Sequence, residues 1–118
     1  MRRWFSRSKK RPLLGDAELA NIRKLRNAGQ LDKAEKLLRN AEPTPAVLDE
    51  LRKIASTRAK QAKQAGDWQA VITHLEGYNR DAEQHRQHCL DLVNQAPPAH
   101  TKTDQRLLQQ AREQVAGA

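Results

Sequence analysis

His85, His88 and Cys89 are the residues of this chain whose types and spacing most readily suggest chemistry. His85 and Cys89 are four positions apart, so on a helix they share one face a single turn apart, a workable spacing for two zinc ligands. A structural zinc site takes four ligands, and no second Cys/His pair or well-placed carboxylate pair completes this one. His74 lies eleven residues back, three turns away on the same side, and His100 falls in a proline-bounded loop that would have to fold back. Written as a Cys–His dyad, the same residues fare no better. Cys89 occupies a position in an apolar stripe, where thiols are inert, and no glycine-rich phosphate loop accompanies it. The carboxylate pairs Asp49–Glu50 and Asp81/Glu83 fall on exposed helical faces as solvated charge. The expectation is a non-enzymatic protein with no metal site and no cofactor.

The stronger signal is electrostatic. The formal net charge is +8 over 118 residues. Residues 1–12 contribute Arg2, Arg3, Arg7, Lys9, Lys10 and Arg11 and no acid, which leaves 16 basic against 14 acidic residues for the rest. Charge repulsion and low apolar content predict a disordered arm there. Such an arm is drawn to phosphate, whether nucleic acid or an anionic membrane face, and Trp4 and Phe5 add aromatics that stack on bases or sit among lipid headgroups. A second basic feature follows from helical spacing: Arg52, Ser56, Lys60 and Lys63 make a stripe, with Lys53 beside it. Arg23, Lys24, Arg26, Lys33, Lys36 and Arg39 come from the preceding segment.

The elements that carry these residues read as helices throughout. Ala, Leu, Gln, Lys, Arg and Glu dominate, aromatics are limited to Trp4, Phe5, Trp68 and Tyr78, and strand formers never alternate. The length allows one core, a thin one in which helices approach over small side chains. Asp16 is placed to cap a first helix that Gly29 stops, with Leu19, Ile22 and Leu25 inward. A second follows at once, with Asp32 and Glu35 at capping-box spacing and Ala34, Leu37, Leu38 and Ala41 inward. Thr44–Pro45 starts a third, running to about Ala65 with Val47, Leu48, Leu51, Ile54, Ala55, Ala59 and Ala62 inward. Gly66–Asp67 repeats the stop-and-cap device.

The fourth helix keeps a heptad stripe of Val71, Leu75, Tyr78, Ala82, His85, Cys89 and Leu92, with Gly77 as the place where it would break. Pro97–Pro98 ends it. Thr101 or Thr103 caps a fifth helix carrying Leu107, Leu108, Ala111 and Val115 on one face, and this helix is expected to cover Leu90, Leu92 and Val93. The fold class is therefore all-α: about five helices in antiparallel hairpins, one helical domain over residues 13–118 behind the basic arm.

The tight turns resemble those of tetratricopeptide repeats over about residues 17–80. Gly29-Gln30-Leu31 followed by Ala34, Leu38, Ala41 and Pro43 is similar to that family's turn and second-helix pattern. Gly66-Asp67-Trp68 with Val71, Leu75 and Tyr78 repeats it 37 residues later, against a family period of about 34. The third and fourth helices depart from the pattern in length. The resemblance implies a partner-binding scaffold with a concave helical surface.

One cysteine, no membrane-length apolar run and no signal peptide make the cytoplasm the expected compartment. The functional expectation is a helical scaffold or adaptor that binds a partner protein, with the arm as an electrostatic attachment. The alternative is a nucleic-acid-binding protein that uses the arm and the Arg/Lys face of the first three helices on phosphates. Self-association along the fourth-helix stripe is a further expectation.

Overall fold

A computed structural model describes residues 11–117 of the chain. Five helices follow in order: α1 (Asp16–Asn27), α2 (Leu31–Arg39), α3 (Pro45–Gln64), α4 (Trp68–Val93) and α5 (Lys102–Ala116). No strand occurs among the described residues. The expected all-α class is what the chain adopts. The helices divide between two compact units, Met1–Glu42 and Pro43–Ala118. The first ten residues, which hold most of the predicted arm, lie outside the described region.

The first unit is the α1–α2 hairpin. Glu18 Oε1 accepts a hydrogen bond from the Gly15 N–H at 2.8 Å, so Gly15, one residue ahead of the expected Asp16, is the cap. Asp16 instead sits in the first turn, where a carboxylate favours the helix dipole. Gly29 adopts a φ of +84°, and the N–H groups of Gly29 and Gln30 return to the carbonyls of Arg26 and Leu25. This pairing closes the end of a helix through a left-handed residue, for which glycine is the cheapest choice.

Leu31, Ala34 and Leu38 are buried along α2, while Leu37, expected inside, is 44% exposed. The α2 cap residue, Gln30, makes no side-chain bond, and Asp32 lies in the first helical turn, so the expected capping box does not form. Pro12 accepts a hydrogen bond from the Glu42 N–H at 2.9 Å, tying the lead-in to the end of the hairpin.

The second unit is α3, α4 and α5. Thr44 Oγ1 caps α3 by accepting from the Val47 N–H, and Asp67 Oδ1 caps α4 by accepting from Ala70. Between them Gly66, at φ +75°, repeats the Gly29 closure, with Gly66 and Asp67 bonding back to Lys63 and Ala62. α4 runs unbroken through Gly77 for 26 residues, roughly 39 Å at 1.5 Å per residue. Its end is set by Asn94 in the left-handed region, φ 56°, three residues ahead of Pro97.

The core of this unit joins Ala59 of α3, Val71 and Leu75 of α4, and Leu107, Leu108 and Ala111 of α5. Ala59 and Ala111 are fully buried, so the helices do approach over small side chains. The chain after Asn94 does not turn straight back into a helix. Residues 95–101 run back along α4 as an extended strap, and α5 begins only beside Leu75. Consequently α5 covers the first half of α4 and not, as expected, its far end. Leu92 and Val93 remain 42% and 46% exposed.

The glycines give opposite outcomes on substitution. A Cβ on Gly77 would meet nothing closer than the Arg80 guanidinium at 3.8 Å, an ordinary contact. Gly77→Ala is expected to raise unfolding free energy by about 0.5–1 kcal/mol through helix propensity. Gly66→Ala, forced to a positive φ, is expected to lower it by about 1 kcal/mol or more. Urea titrations of the two variants check both signs.

Candidate functional site

The predicted phosphate-contact residues divide three ways. Arg2, Arg3, Trp4, Phe5, Arg7, Lys9 and Lys10 lie outside the described residues; Arg11 is described and exposed. Arg52 and Lys53 are drawn into ion pairs on their own helix. Arg52 Nε meets Asp49 Oδ1 at 3.0 Å, with only 13% of the arginine side chain exposed, and Lys53 Nζ lies 3.5 Å from both Asp49 Oδ2 and Glu50 Oε2. Lys60 and Lys63 stand exposed on the last two turns of α3.

Ser56, expected in the outward stripe, is buried, and Glu50 is 1% exposed. The stripe is thus a cluster with its own counter-ions at one end and two free-standing lysines at the other. Helical spacing allows these pairs, since Asp49 and Glu50 stand three or four positions before Arg52 and Lys53, but reading the two acids as solvated charge passed over them.

Cys89 is fully buried, and its thiol donates to the Pro43 carbonyl at 3.1 Å. Burial holds its pKa above the ordinary thiol value. Both observations describe a protonated, packed side chain and not a nucleophile. Among the described residues no three His, Cys, Asp or Glu side chains gather as a metal-holding group. Cys89 is therefore expected to react with a maleimide at least a hundredfold more slowly than free cysteine at pH 7.5, and to react freely in 6 M guanidinium. Timed labelling followed by mass spectrometry measures the ratio.

The most densely bonded part of the second unit is where the strap meets α4. The Tyr78 hydroxyl donates to the Pro98 carbonyl. His100, 6% exposed, places Nε2 2.8 Å from the Leu75 carbonyl, and since a carbonyl only accepts, Nε2 carries the proton. The two rings pack tilted, with centroids 5.1 Å apart. Gln105 Nε2 donates to the His100 carbonyl, and Thr101 Oγ1 caps α5 by accepting from the Asp104 N–H. His100 Nδ1 and Asp104 Oδ1 are buried without a hydrogen-bond partner among the described residues.

Burial pushes the Tyr78 phenol well above its ordinary value, with the Arg52 guanidinium pulling the other way. Tyr78 and Cys89 both have raised folded-state values, so what they contribute is intact below about pH 9 and is lost as pH climbs past it. Stability measured from pH 7 to 11 is expected to be level up to about pH 9 and to fall beyond it, less steeply in a Tyr78→Phe/Cys89→Ala variant.

Beside this knot lies an open cleft of about 300 Å³, between the strap and the outer side of α4. Tyr78 and Ala82 form its floor, Pro97, Pro98 and Ala99 one wall, and Asn79, Glu83 and Arg86 the rim. Sequence reading missed it entirely. The double proline was legible as a helix stop, but nothing local shows that the strap returns along α4 instead of looping outward.

No family model, curated protein or solved structure matches this chain. Function therefore has to be read from its own surfaces. Two differ from an ordinary solvated helical face: the apolar far end of α4 and the cleft. No helix of the described residues is long and apolar enough to cross a membrane.

Proposed function

We propose that this chain is a non-enzymatic, cytoplasmic helical scaffold that binds a partner protein through its helical surface, with the basic arm adding an electrostatic attachment. The observation that carries the reading is the far end of α4. Leu92 and Val93 sit on its last turn, beyond the reach of α5, and are nearly half exposed. Adjacent large aliphatic side chains left open at the end of a long, well-packed helix are what a helical docking surface requires. Three polar side chains of the second unit support it from the other direction. Cys89, Tyr78 and His100 each hold two segments together through a backbone carbonyl. The glycine-closed turns at Gly29 and Gly66 are compatible with a tetratricopeptide-like hairpin, while the unbroken α4 favours a bundle.

The nucleic-acid reading rests on the six positive charges of residues 1–12. The α3 face adds little to it, since Arg52 and Lys53 already have carboxylate partners. Photo-crosslinking separates the two readings. A benzophenone side chain placed at Leu92 is expected to capture a protein in the source cell, and one placed at exposed Gln110 is not. Equal capture at both positions, or nucleic acid as the sole adduct, would overturn the proposal.

A further inference from the structure

The cleft beside the strap has a chemistry of its own, independent of the docking surface on α4. Its two charged rim residues, Glu83 and Arg86, are one helical turn apart, and neither joins an ion pair among the described residues. Both are exposed, whereas the cleft behind them is floored by Ala82 and walled by Pro97 and Pro98. An anionic and a cationic group thus stand side by side at the mouth of a hollow whose lining is part polar and part apolar, the apolar part being Ala82 and the prolines. At about 300 Å³ the hollow lies at the small end of the range for ligand sites. The wall is also fixed in place: the Tyr78–Pro98 bond anchors it directly, and His100 holds the next turn of chain to Leu75. A rigid wall lowers the ordering cost of binding.

The complementary ligand carries an ammonium and a carboxylate on one carbon, together with an apolar body. We propose that this cleft binds a free α-amino acid with an aliphatic side chain: the ammonium against Glu83, the carboxylate against Arg86, and the side chain lying against the prolines. Charges as exposed as these contribute little each, so the affinity is about millimolar.

The test is an NMR titration of the ¹⁵N-labelled full chain with L-leucine to about 20 mM, well above a millimolar Kd. Saturable shifts are expected at the amides of Asn79, Glu83, Arg86 and Ala99. Glycine, N-acetyl-L-leucine and L-leucinamide each lack one of the three recognised features and are expected to bind at least threefold more weakly. Glu83→Gln and Arg86→Gln, both at exposed positions that leave the core intact, are expected to weaken L-leucine about threefold to fivefold each, and the double variant about tenfold or more. Absence of saturable shifts at these amides would overturn the proposal. So would glycine matching L-leucine, or a double variant with the affinity of the parent chain.

Discussion

Leu75→Ala is expected to destabilise the second unit by about 3 kcal/mol, within the usual range for a buried leucine cut to alanine. Leu75 is fully buried and sits where all three helices of the unit converge, among Ala59, Val71, Leu107, Leu108 and Ala111. Its neighbours Ala59 and Ala111 have no side-chain length with which to fill the space, so the cavity would persist and carry its full cost. The bond from His100 goes to this residue's backbone carbonyl, which the substitution leaves in place, so the expected loss is one of packing alone.

The control is Leu37→Ala. Leu37 is 44% exposed, and its truncation is expected to cost well under 1 kcal/mol. Urea unfolding followed by circular dichroism distinguishes them, because the Leu75 variant's midpoint shifts while the Leu37 variant's barely moves. Similar losses at the two positions would contradict the placement of the core.

The second large effect concerns the arm. Six basic side chains in residues 1–12 give any polyanion a concentrated set of phosphate partners. If all six neutralise duplex phosphates, the logarithm of the affinity falls against the logarithm of salt with a slope of about −5. Between 50 and 200 mM salt that amounts to a loss of about a thousandfold. Deleting residues 1–12 is then expected to abolish binding to a generic duplex. Lys60→Ala/Lys63→Ala is expected to leave it almost unchanged, since the α3 stripe offers only those two lysines without a carboxylate on the same turn. Fluorescence anisotropy with a labelled duplex across a salt series reads both. A deletion that leaves affinity intact would move the polyanion contact from the arm to the helical body.

What was legible in the sequence was local. Gly29, Gly66, Thr44–Pro45 and Asp67 announce helix ends because each acts on backbone groups within a few residues of itself, and the structure uses all of them as read. The α4 stripe was legible to Cys89 because helical periodicity alone fixes a face. The strap was not. His100 is buried by a carbonyl 25 residues away, and the path that brings it there is a property of packing and not of Pro97–Pro98 themselves. That path also decides where α5 lands, and so why Leu92 and Val93 stay uncovered.

Pro97–Pro98 is the stop the sequence offers for α4, but Asn94 ends the helix three residues earlier by accepting a left-handed conformation that its sequence context does not advertise. The basic stripe of α3 departs from its expected form in two respects. Ser56 is buried, and the acids one turn earlier claim Arg52 and Lys53.

The scaffold reading is tested most directly by capture from nuclease-treated source-cell extract with three forms of the chain: intact, lacking residues 1–12, and carrying Leu92→Asp/Val93→Asp. Both substituted positions are exposed, so the fold is kept, which a thermal melt verifies. A protein is expected to be retained by the intact chain, retained more weakly without the arm, and lost with the two aspartates. Retention that survives both aspartates, or that disappears with the nuclease treatment alone, would contradict it.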